Sequence, residues 1–123
     1  MDLIKKLDLS LVRIESMIFI HGLENSDRLM GMIEPLTDQE LLSTFGLNLH
    51  REEQDDYEIL ELILSHFSGH ILARVSTPHT VYVNKNGVRK YIWDHIYTRL
   101  IVASTLADLV NRSSIWADSI REK

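Results

Sequence analysis

Apolar residues recur every three or four positions near the start of the chain, at Leu3, Leu7, Leu11, Ile14 and Ile18. That spacing predicts one amphipathic helix over residues 2–20. His21-Gly22 ends it, since glycine accepts the left-handed backbone of a helix C-terminus. Glu24 to Asp27 supply N-cap residues for a short helix over 28–33, and Pro35 stops it. Thr37-Asp38-Gln39-Glu40 reads as a capping box that opens a third helix, ending at Gly46. A polar turn from Asn48 to Arg51 leads into a fourth helix over 53–67. There Tyr57, Leu60, Ile63, Leu64 and Phe67 share a face, and acids crowd the positive end of the dipole.

From Ile71 the pattern changes. ILARV and TVYV are rich in β-branched residues, which favour strands. Asn86-Gly87 is the preferred pair for a tight hairpin turn, so residues 80–92 read as a β-hairpin. A two-residue turn sets Val83 opposite Lys90, and a longer loop from Asn84 to Gly87 shifts that register. Asp94 then caps a long helix over 94–111, broken by Ser113-Ser114, with a further short helix in the tail. The expected fold is helix-rich α+β, with five or six helices and one hairpin, in a single domain spanning 1–123. The alternative is an all-α bundle in which the last helix extends back to Val88.

On a helical wheel the 94–111 segment has a core stripe of Ile96, Leu100, Ala103, Leu106, Ala107 and Val110. Tyr97, Ile101, Val102 and Leu109 lie outside it. A helix apolar on several faces is either central or packs against a second chain. Arg99 falls within the apolar arc, where it must snorkel or find an anion. Tyr97, Arg99, Ile101 and, in the tail, Trp116 are therefore the expected partner-binding residues.

Composition narrows the chemistry. The chain has no cysteine, which removes disulfides, thiolate metal sites and a cysteine nucleophile, and fits a reducing cytoplasm. Asp8 and Arg13 interrupt any signal-peptide core, and the longest run without charge, Leu62 to Ala73, is too short to span a bilayer. A formal charge of −5 disfavours general adhesion to nucleic acid. Lys85, Arg89 and Lys90, beside Tyr82 and Tyr91, nonetheless give the hairpin a basic tip that suits a nucleic-acid-binding wing.

His66 and His70 stand four apart, a spacing that suits a shared metal. Phe67 follows His66 where a zinc protease needs a glutamate, and Gly69 breaks the helix between them, so they read as unrelated histidines. Residues 37–48 miss a DNA-binding helix-turn-helix, because Leu42 stands where a small residue is needed. No nucleophile elbow and no Gly-rich phosphate cradle occurs.

The sequence therefore points to a small, non-catalytic cytoplasmic protein that binds another protein, or itself as a dimer. An adaptor, an inhibitor and a chaperone-like regulatory subunit all fit. No cofactor, metal or membrane contact is expected. The alternative is a nucleic-acid-linked regulator with a basic wing and a helical dimer element.

Overall fold

The computed structural model describes residues 2–22, 24–83, 86–87 and 89–121, and their side chains except those of 79–83, 89–95 and 121. It is helix-rich α+β: five helices and one antiparallel sheet of three strands, with a helix at the C-terminus. The elements run α1 (Leu3–Ser10), β1 (Arg13–Phe19), α2 (Ser26–Ile33), α3 (Asp38–Phe45), α4 (Asp56–Phe67), β2 (Ile71–Val83), β3 (Arg89–Ala103) and α5 (Leu106–Arg121). The all-α alternative is excluded by the sheet.

The expected first helix stops halfway. Leu11 adopts a left-handed backbone (φ 58°), its amide donating to the Asp8 carbonyl and that of Val12 to the Leu7 carbonyl. These two bonds satisfy carbonyls that a helix end leaves open. The chain then continues as β1, because Val12, Ile14, Ile18 and Ile20 are β-branched and fall at even positions. Positions 14 and 18 satisfy a helical spacing and a strand alternation equally, so the periodicity could not separate them.

The second correction is larger. Residues 94–103, expected to open the last helix, belong to β3, and the helix begins only at Leu106. A strand covered on both faces reads as a nearly continuous apolar run. Plotted on a helical wheel, such a run spreads round the circumference. The surplus apolar surface of the expected helix is therefore the two-sided burial of a strand. Leu100 and Val102 pack with α2, α3 and α4, whereas Ile101 and Ala103 pack with Leu109 and Ala117 of α5. Ser113 and Ser114, the expected break, lie buried in mid-helix.

Strand order is β1-β2-β3, so β2 is central. One helical layer, α2 to α4, covers one face through Leu29, Ile33, Leu41, Ile59 and Ile63. The other face carries Val12, Ile71, Ala73 and Val75 under α5, with Leu7 of α1 beside them. A bulge at Glu15 adds one residue to β1. It sets Ile14 opposite Val75 and Met17 opposite Ala73, both on the α5 side.

The hairpin is longer than expected. β2 and β3 pair from Ile71↔Ala103 to Val83↔Arg89, while β1 reaches only as far as Ser76. Beyond that point the two strands continue as an arm. Pro78 stands where the register shifts, past the last β1 partner, so its missing amide donor interrupts no ladder with β1. The pairing of Val83 with Arg89 is intermediate between the two registers expected, and the described residues between the strands are Asn86 and Gly87. Gly87 has φ 77° there. Among the described residues no helix is long and apolar enough to cross a membrane.

Candidate functional site: the open edge of the third strand

β3 pairs with β2 on one side only. Successive residues of an antiparallel edge strand alternately direct their N–H and C=O groups toward the partner and away from it. The outer edge of β3 thus offers a row of backbone donors and acceptors. α3 flanks this edge on one side and α5 on the other. Between them lies a cavity of about 320 Å³, floored by Arg99 to Val102 and walled by Ser43, Thr44, Arg112, Ile115, Trp116 and Ser119. Two further depressions share its walls. One reaches Tyr97, Leu36 and Ile120, and the other reaches Ser104, Asp108 and His70. Together they form one groove along β3 from Tyr97 to Ser104.

The sequence of α5 fixes its side of the groove. The Thr105 hydroxyl accepts from the Asp108 amide at 3.0 Å, and the Asp108 carboxylate accepts from the Ser104 amide at 3.0 Å. Together these two bonds cap the helix start, with Asp108 reaching back to Ser104, one residue before the Thr105 that caps it. Asp108 also meets the Arg112 guanidinium at 3.0 Å, one turn on. The Ser104 amide, with Arg112 adding to it, holds the Asp108 carboxyl below its ordinary value, against the upward push of burial. α5 then presents Arg112, Ile115, Trp116 and Ser119 to the groove. Ile115 is 70% exposed.

The α3 side follows from its caps. The Thr37–Glu40 capping box is formed in both directions, at 3.1 and 3.2 Å, and Gly46 closes the helix with φ 69°. Ser43 and Thr44 thereby face the groove, while Leu41 and Phe45 face the core.

All four residues expected to bind a partner border this groove, though on different elements from those expected. Tyr97, Arg99 and Ile101 lie on β3, and Trp116 lies on α5. Tyr97 and Trp116 are half-buried, and Arg99 is exposed. Ile101 is a core residue, 7% exposed, in the floor of the groove. Sequence reasoning missed Ser43, Thr44, Arg112 and Ile115. The signal was Thr105-Leu106-Ala107-Asp108, a helix-start pattern that places everything before it outside α5.

The basic hairpin residues lie elsewhere. Lys85 is outside the described residues. Arg89 and Lys90 open β3 opposite Val83 and Tyr82, and their side chains are outside the described ones. The two histidines flank one ring: the His66 and His70 centroids lie 6.4 and 5.4 Å from that of Phe67. His66 Nδ1 lies 2.8 Å from the Leu62 carbonyl oxygen. Among the described residues no group of three or more His, Asp or Glu side chains is placed to hold a metal.

No protein-family model, curated protein or solved structure matches the chain.

Proposed function

We propose that the chain is a non-catalytic cytoplasmic protein-binding module that takes an extended segment of its partner as a fourth strand beside β3. One observation carries this reading: the free edge of β3 forms the floor of a groove walled by α3 and α5. Strand addition uses main-chain hydrogen bonds for affinity and the flanking walls for selectivity. Ile115 and Trp116 supply the apolar wall, and Ser43 and Thr44 the polar one. Asp108, whose carboxyl is shifted, is committed to Ser104 and Arg112, which favours binding over acid–base chemistry at this groove. Regulation of a partner, as an adaptor or inhibitor, suits a groove of this kind.

The reading is tested by selecting peptides from a displayed library against the intact chain and mapping the tightest one by amide resonances. The expected result is perturbation of residues 97–104 with their neighbours on α3 and α5. Ile115→Glu should weaken binding about tenfold or more while leaving thermal stability within about 0.5 kcal/mol, because the side chain is exposed. Selected peptides that map away from β3, or bind the Ile115→Glu chain unchanged, sink the proposal.

A further inference from the structure

Arg99 takes an unusual path. On β3 it has the same alternation as Ile101, and its partner across the ladder is Val75; both Ile101 and Val75 pack on the α5 side of the sheet. Yet the Arg99 guanidinium donates to the Ser43 carbonyl of α3, which lies on the opposite side. The side chain therefore wraps around the open edge of β3. That contact is a single exposed hydrogen bond of 3.2 Å to a neutral acceptor. The other arginine of the groove, Arg112, is paired with Asp108, and the Glu40 carboxylate is engaged at the Thr37 amide. Arg99 has no carboxylate partner among the described residues. Among the described residues it is an uncompensated cation, on a chain whose net charge is −5.

Two consequences follow. A long charged side chain laid over a sheet edge blunts indiscriminate strand pairing. A carboxylate, in contrast, binds guanidinium in a charge-assisted and often bidentate way, about twice as strongly as a neutral carbonyl does. From these we infer that the segment β3 accepts is acidic at one defined position: a carboxylate side chain opposite Arg99 draws the guanidinium off Ser43 and opens the edge. Directly opposed residues of neighbouring strands have Cβ atoms about 5 Å apart, close enough for this pair. The residue two positions along the incoming strand then stands opposite Ile101, on the side of Ile115 and Trp116, and is apolar. The partner is thus an extended peptide with an acidic and an apolar side chain two residues apart. This inference rests on the strand-addition reading above.

The test uses three synthetic peptides with a common alternating valine–threonine host and Glu, Gln or Lys at the central position. Binding to the full chain is followed by amide resonances of 97–104 at low and moderate salt. The expected order is Glu over Gln over Lys, with about tenfold between the first two. Arg99→Glu should reverse the order in favour of the Lys peptide, and Arg99→Met should level it. Thermal unfolding of both variants checks that they fold, and Arg99→Lys, which keeps the charge without the planar fork, should retain a reduced preference. If all three peptides perturb β3 equally, strand addition stands and the acidic-partner inference is overturned. If none perturbs β3, both are overturned. Protection of the 97–104 amides that grows with protein concentration and needs no peptide would make a second copy the occupant, which also overturns it.

Discussion

Arg51 binds more of the molecule together than any other charged side chain described. Its Nε donates to the Leu36 carbonyl at 2.8 Å, one Nη to the Ile33 carbonyl at 2.5 Å, and the other Nη to Asp56 at 2.7 Å. Its amide donates to Asp38 at 3.2 Å. Ile33 is the last residue of α2, where carbonyls lack intrahelical donors, and Leu36 lies just beyond it. Guanidinium and amide of this one residue thus tie the end of α2 to the starts of α3 and α4. The planar fork reaches three directions at once, which an ammonium on a flexible stem does not. Arg51→Ala should lower unfolding free energy by about 2–4 kcal/mol, because part-buried carbonyls and a carboxylate lose a charged donor. Arg51→Lys should recover less than half of that. Urea unfolding at unchanged m-value measures both, and a loss below about 1 kcal/mol would mean that water replaces the fork. In the sequence Arg51 is only the end of a polar turn. Its partners lie 5, 15 and 18 residues away, beyond anything local spacing reveals.

Elements were legible where their termini carry local chemistry. The third helix begins at a capping box and ends at a positive-φ glycine, and its expected span matches α3 almost residue for residue. The fourth ends before Gly69 as expected. Periodicity without caps misled. Leu11, a left-handed non-glycine, carries no terminus signal, so α1 and β1 merged into one expected helix. The overlap between Ile96 and Ala103 failed for a different reason, since its second half, Leu100 to Ala103, is buried on both faces and mimics a helix buried on several. The true start of α5 rests on Asp108, and that gives a pH-dependent prediction. Its folded carboxyl value lies below the ordinary 3.8. The stabilisation is therefore fully present above that value and is lost as pH falls through the lowered one. Asp108→Ala should cost about 1 kcal/mol at pH 7, the usual loss for a helix cap. The gap between variant and parent should narrow below pH 3.8, as read from denaturation midpoints on a pH series. A gap that stays constant into strong acid would show that Asp108 acts through packing alone.

At the scale of the whole molecule, the three strands differ in what surrounds them. β2 is bonded on both sides from Ile71 to Ser76, and Leu72, Ala73 and Val75 are wholly buried between the two helical layers. Its amides over that span can exchange with solvent only when the two layers separate, so their protection reports global unfolding. From Leu100 to Ala103 β3 is covered on both faces by the same layers, and it is bonded along one edge. If that edge is available to a partner strand, every second amide from 97 to 103 meets water in the native state. Hydrogen exchange should then show a period-two pattern along β3. Outward amides should exchange at least about 100-fold faster than those of β2, and the intervening ones nearly as slowly. Between Leu100 and Ala103, where both faces are buried, fast outward amides would mark a preformed site and not a loosened strand. Uniformly slow exchange along 97–103 would mean that the walls close over the edge, and the groove would then have no backbone groups to offer. A contrast between alternate residues would locate the acceptor strand before any partner is known.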